Sequence, residues 1–149
     1  MKKMAVLCLL ATSVLSGCIA SDIRPRSVYN QHLKNIALEI ERVDRGAIHV
    51  KIENNTDKSV LVEWEKSYIN DKKIVKDMTR DLNKPIPDTE LIPHSDMHVT
   101  LYQRDSIYYR DPVLYTPGGY QTKEIDYPAV IKIMIDNVYN EKEVHFNGR

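Results

Sequence analysis

Apolar and polar residues alternate along most of this chain at period two. Ile36, Leu38 and Ile40 interleave with Ala37, Glu39 and Glu41. In a strand successive side chains point to opposite faces, so this alternation predicts a half-buried strand. Asp44-Arg45-Gly46 breaks it. Ile48, Val50 and Ile52 alternate with His49, Lys51 and Glu53 as a second strand, and Asn54-Asn55-Thr56-Asp57 is dense turn chemistry. Val60, Val62 and Trp64 alternate with Leu61, Glu63 and Glu65 in a third strand that extends toward Tyr68. Asn70-Asp71-Lys72-Lys73 turns the chain into a strand near residues 74–78. Pro85, Pro87 and Pro93 argue against a central strand over residues 80–95. Met97, Val99 and Leu101 mark another strand. Residues 130–135 are apolar except for Lys132 and read as a buried strand, followed by a turn at Asp136-Asn137 and a last partner ending at Val144 and Phe146.

No segment after residue 18 carries a helical period over ten or more residues. Short alternating runs separated by polar turns predict an all-β fold, here a single sandwich of about seven or eight strands over residues 36–149. Trp64, on the apolar face of the third strand, is expected to pack between the two sheets.

The first residues follow a different pattern. Lys2 and Lys3 precede an apolar run from Met4 to Leu15, and Ser16-Gly17 then supplies small residues before Cys18. Charged start, apolar centre and small-residue end make a secretory signal. The run is shorter than the roughly 20 apolar residues of a transmembrane helix. Leu15-Ser16-Gly17-Cys18 resembles the lipobox of bacterial lipoprotein signal peptides. The resemblance implies removal of residues 1–17, acylation of Cys18 with palmitate-like chains, and a membrane anchor through that lipid. Ile19 and Ala20 follow Cys18 where an Asp would retain a Gram-negative lipoprotein in the inner membrane. For a Gram-negative source the resemblance therefore implies the outer membrane, facing the periplasm. Residues 18–35 lack a clear period and read as a tether, in which residues 28–34 fit either a short strand or one helical turn.

Removing residues 1–17 takes away Lys2 and Lys3 and no acid. The remaining 132 residues hold 19 basic and 21 acidic side chains. No basic excess favours nucleic acid, and no polybasic cluster favours anionic lipid. The two cysteines, Cys8 and Cys18, fall in the signal and at the lipid site, so the domain is expected to carry no disulfide.

The layout Ile52-Glu53-Asn54-Asn55-Thr56 then Val60-x-Val62-x-Trp64, with Leu91-Ile92-Pro93-His94-Ser95 before Val99-Thr100-Leu101, is similar to small bacterial envelope lipoproteins with one immunoglobulin-like sandwich. The likeness covers about residues 36–103 and implies architecture, not activity.

Candidate chemistry is sparse. His94 and His98 flank Asp96, but on an extended strand they stand about 13 Å apart, too far for one ion. No nucleophile elbow, Gly-rich phosphate loop or His-Glu-x-x-His occurs, so neither an enzyme nor a metal or cofactor site is expected. Glu63 and Glu65 read as a charged strand face. The distinctive feature is a tyrosine cluster: six of nine tyrosines, Tyr102, Tyr108, Tyr109, Tyr115, Tyr120 and Tyr127, lie within residues 102–127, interleaved with Arg104, Arg110, Pro112, Pro117, Gly118 and Gly119. Tyrosine and arginine are favoured at binding hot spots, and long loops on rigid scaffolds often carry recognition. Tyr102, Arg104, Tyr108, Tyr109, Arg110, Tyr115 and Tyr120 are the expected contact residues; the competing expectation is that the rings pack locally on the core. Together these features point to a non-catalytic envelope lipoprotein that binds a protein partner as an assembly factor, pilot or accessory subunit. The alternative is a peptidoglycan or glycan binder that stacks sugars on its rings.

Overall fold

The computed structural model describes residues 34–78 and 81–146. The expected signal at 1–17, the lipid site Cys18 and the tether up to residue 33 lie outside the described residues.

The described residues form ten strands: β1 (Ile36–Val43), β2 (Ile48–Asn54), β3 (Val60–Ile69), β4 (Lys72–Val75), β5 (Thr89–Leu91), β6 (Ser95–Gln103), β7 (Ile107–Arg110), β8 (Gly119–Thr122), β9 (Ala129–Ile135) and β10 (Val138–Val144). A 3-10 turn, Arg104–Ser106, joins β6 to β7. The main sheet runs β1-β2-β6-β4-β3-β9-β10, all antiparallel, with β5 bonded to β3 off that path. β1 and β10 approach one another without pairing, so these seven strands curl into a nearly closed barrel. The all-β expectation holds. Where two separate layers were expected, β4 bonds to β3 on one side and to β6 on the other and joins them along that edge. Among the described residues β7 and β8 pair only with each other and form a separate hairpin.

The alternation places the core where it was read. Ile48, Val50, Ile52, Val62, Trp64, Leu101, Ile131, Ile133 and Ile135 are fully buried and make one continuous cluster. Two turns follow directly from their residues. Asn70-Asp71 between β3 and β4, and Asp136-Asn137 between β9 and β10, both hold positive φ at both positions. That is the requirement of a two-residue hairpin turn, which Asn and Asp meet at low cost. Asn54, fully buried, clamps the opposite loops. Its amide nitrogen donates to the carbonyls of Lys58, Leu91 and Ile92, and its oxygen accepts from the Thr56 amide and hydroxyl.

Two irregularities shift the alternation. In β1, Ile40 faces Val50 but Arg42 faces His49, so Glu41 is an extra residue. In β3, the five steps from Glu63 to Tyr68 face only two steps of β9, Met134 to Lys132. Val60, Val62 and Trp64 point inward, and the phase then shifts so that Ser67 and Ile69 do. A strand whose phase flips needs its freed backbone groups satisfied. The Ser67 hydroxyl does this, donating to the Glu63 carbonyl at 2.8 Å and accepting from the Met134 amide at 3.0 Å. Glu63 is accordingly buried rather than on an open charged face.

Trp64 sits where β3 changes neighbours. Its ring is fully buried, its indole N–H donates to the Thr89 hydroxyl at 2.8 Å, and the Lys76 ammonium lies 4.6 Å from the ring centroid. Trp64→Ala is expected to lower the unfolding free energy by about 3–5 kcal/mol, the range for emptying a large aromatic site. A chemical denaturation midpoint that barely moves would contradict this packing.

Candidate functional site

The tyrosine-rich stretch is a hairpin with a built root and a bare tip. In β7 and β8, Ile107, Tyr108, Tyr109 and Arg110 face Thr122, Gln121, Tyr120 and Gly119. Tyr109 and Tyr120 form an edge-to-face pair, centroids 5.4 Å apart at 74°. The Tyr108 hydroxyl donates to the Gln121 side-chain oxygen at 3.0 Å. Gly118 is needed beside this pair, since a Cβ there would fall 2.5 Å from the Tyr109 hydroxyl and 2.9 Å from Pro112.

The root is fastened to the turn between β1 and β2. The Ile125 amide donates to the Arg45 carbonyl at 2.7 Å, the Tyr127 hydroxyl to the Asp44 carbonyl at 2.7 Å, and Arg45 pairs with Glu124 at 3.2 Å. Gly46 presses against Thr122, whose hydroxyl would stand 2.1 Å from a Cβ at that position. On the β7 side the Ser106 hydroxyl donates to the Gln103 carbonyl and the Lys123 amide to the Ser106 carbonyl.

Beyond the paired residues the tip is tight and apolar. Val113 and Thr116 exchange both backbone hydrogen bonds, at 3.0 and 2.8 Å, and enclose a two-residue turn, Leu114-Tyr115. Leu114 has φ +46°. A turn that asks for positive φ at its first central residue normally takes Gly there, and a side chain with a Cβ costs roughly 1–2 kcal/mol in this region. Leu114 is nevertheless 93% exposed and Tyr115 99%, with Val113 exposed beside them. A strained, solvent-exposed leucine gains nothing from packing, and such outliers cluster at functional positions.

The expected contact residues divide into two groups. Tyr108, Tyr109, Arg110, Tyr115 and Tyr120 lie together, exposed, on the hairpin. Tyr102 is in β6 and packs against the core, and Tyr127 packs on Phe146 at 5.5 Å. Burial and the nearby Asp44 push the Tyr127 hydroxyl well above the usual phenol range. Arg104 leaves the rings and turns to the root, where it meets Glu65 at 2.6 Å. The residues that sequence reasoning passed over are Val113 and Leu114. Their signal in the sequence is two consecutive apolar residues between Pro112 and Pro117.

Glu65 fastens this root electrostatically. Burial by itself would raise its carboxyl; the Ile86 amide at 2.8 Å, Arg104, and Lys73 at 3.1 Å outweigh that and hold it down to about 2. The anion thus ties together β3, β4, the 81–88 loop and the 3-10 turn that starts the hairpin.

Elsewhere the charged groups are taken up locally. His94 bonds Asp57 at 2.9 Å, while His98 bonds Glu41 at 2.8 Å and lies 3.2 Å from Asp96, so each imidazole has its own carboxylate. Among the described residues no group of three or more His, Cys, Asp or Glu side chains is arranged to hold a metal ion. A groove of about 480 Å³ beside β9 and β10 contains Lys132, which pairs with Asp71 at 3.3 Å and Glu141 at 3.4 Å.

Two outcomes follow from this geometry. A carboxyl depressed in the folded chain contributes stability that is full above its ordinary value of 4.5 and is lost as pH falls toward about 2. The native chain is therefore expected to lose about 2 kcal/mol more between pH 5 and pH 2 than Glu65→Gln, which begins less stable; parallel denaturation curves for the two across this window would contradict it. At the tip, Leu114→Gly is expected to leave stability unchanged or raise it by up to about 1 kcal/mol. A substantial fall in melting temperature would mean that Leu114 packs.

No protein-family model, no curated protein and no solved structure matches this chain.

Proposed function

We propose that this chain is a non-catalytic lipoprotein, anchored through Cys18 to the outer membrane of a Gram-negative cell, that binds a protein partner in the periplasm through its β7–β8 hairpin. The observation that carries the reading is the tip: Leu114 and Tyr115 almost wholly exposed, with Leu114 kept at a positive φ that Gly would occupy more cheaply. An apolar knob on a fastened ribbon suits insertion into a pocket on a folded partner, where aromatic anchors carry most binding energy. The lipobox-like Leu15-Ser16-Gly17-Cys18 supports the address. Strand order supports an immunoglobulin-like reading of the domain: β1-β2-β6 in one layer, β4-β3-β9-β10 in the other, and Trp64 on β3 between them.

Glycan binding is the weaker alternative. Sugars stack on flat, open ring faces, whereas Tyr109 and Tyr120 are crossed at 74° and the tip is aliphatic at Val113 and Leu114. The paired substitution Leu114→Asp with Tyr115→Ser separates the two. It is expected to abolish co-isolation of a partner from detergent-solubilised envelopes, a loss of about 2 kcal/mol or more, with the melting temperature unchanged. Undiminished co-isolation would count against the protein-partner reading. Sedimentation of the native chain with cell-wall sacculi, lost in the variant, would favour the glycan alternative.

A further inference from the structure

The start of the described chain and the root of the hairpin lie at opposite ends of the barrel, and among the described residues the hairpin's strands pair with each other and not with the barrel's. The described chain begins at Lys34-Asn35, where the Asn35 carbonyl accepts from the Asn55 amide at 2.8 Å. This is the end that Asn54 clamps, made by the loops after β2 and before β6. β1 then runs eight residues to the Asp44–Ala47 turn, about 26 Å at the usual rise of a strand. The β8 side of the hairpin's root is fastened at that far end: Ile125 on Arg45, Tyr127 on Asp44, Thr122 against Gly46. β6 gives the same direction independently. Ser95 faces Asn54 at the near end, Leu101 faces Ile48 at the far end, and β7 begins four residues after β6 ends.

The two ends also differ in surface. Among the described residues nine large apolar side chains are exposed. Six of them, Tyr108, Tyr109, Val113, Leu114, Tyr115 and Tyr120, are on the hairpin, while Leu61 is on β3, Ile92 follows β5 and Tyr139 is on β10. The tip lacks the basic surround that draws a protein loop to an anionic bilayer, since Asp111 directly follows Arg110 and Asp105 stands at the root.

We infer that the domain is two-ended: the tether holds it by one end, and the Leu114-Tyr115 knob is presented at the other, to a folded protein standing beyond the domain and not to the membrane that carries it. This rests on the lipid-anchor reading of Cys18. The length outside the described residues fits it. The 15 residues between Cys18 and Lys34 span at most roughly 50 Å, and the hairpin root stands about 26 Å beyond the near end along β1.

After Cys18 the sequence contains no cysteine, so a fluorophore can be placed on the acylated full chain through Asp57→Cys at the near end or Tyr115→Cys at the tip. The chains are reconstituted in phosphatidylethanolamine–phosphatidylglycerol vesicles carrying a headgroup acceptor dye, or brominated acyl chains. Strong energy transfer is expected from position 57, transfer severalfold weaker from position 115, and no quenching at 115 by brominated lipid. Equal transfer from both positions, or quenching at 115, overturns the inference. Fatty-acid labelling of the same preparations tells the failures apart. Absence of label overturns the anchor reading and this inference with it, whereas label with equal transfer overturns this inference alone. A photo-reactive group at position 115 in cells is expected to give a protein adduct that Leu114→Asp removes; a lipid adduct would overturn the choice of partner.

Discussion

A ribbon of four residue pairs cannot hold itself together in water. The β7–β8 hairpin persists because its root is fixed from two sides. On one, Arg104 and Ser106 are tied to β3 and to the end of β6; on the other, Ile125, buried in the core cluster, and Tyr127 are tied to the β1–β2 turn. Gly46 allows the two sides to close, because any larger residue would meet Thr122. Everything proposed for the tip depends on this footing. A knob that arrives already ordered loses less conformational freedom on binding than a loop that must fold first.

β3 links that footing to the core. Within two residues it buries Trp64 and presents Glu65 outward to Arg104, Lys73 and the Ile86 amide. The bulge that follows, sealed by Ser67, lets one strand pair with β5 and β9 along its first half and β4 and β9 along its second. The most exposed apolar side chains, Leu114 and Tyr115, then sit on a two-residue turn outside the core cluster, with positive φ at Leu114. A tip that contributes little to folding is free to vary with what it binds.

Much of this was legible in the sequence, for physical reasons that also mark where reading stopped. Ile48, Val50 and Ile52 announced β2 because period two with β-branched residues has little other meaning, and Asn70-Asp71 and Asp136-Asn137 announced their turns because few other residues accept positive φ. The slip in β3 was not legible. Ser67 is polar, and its burial depends on a carbonyl of β3 and an amide of β9 that only the fold brings together. Arg104 read as a companion of the tyrosines because it is their neighbour in sequence; its partner, Glu65, is 39 residues away. The stretch after it read as an irregular loop because Pro112, Pro117 and the adjacent glycines obscured a four-residue alternation on each side. Tyr108, Tyr109, Arg110, Tyr115 and Tyr120 share the hairpin, whereas Tyr102 and Tyr127 show that nearness in sequence does not put a ring on the same surface.

The central claim is that the knob is pre-built: ordered at its root and closed at its tip before any partner arrives. Amide hydrogen exchange on the isolated full chain measures this directly. Lys123 and Ile125, bonded at the root, and Val113 and Thr116, bonded across the tip, are expected to exchange well below the rate of an unstructured chain, with Leu114 and Tyr115 faster between them. Exchange at the unstructured rate throughout residues 107–125 would contradict the account, leaving a barrel with a loose loop in place of a recognition hairpin.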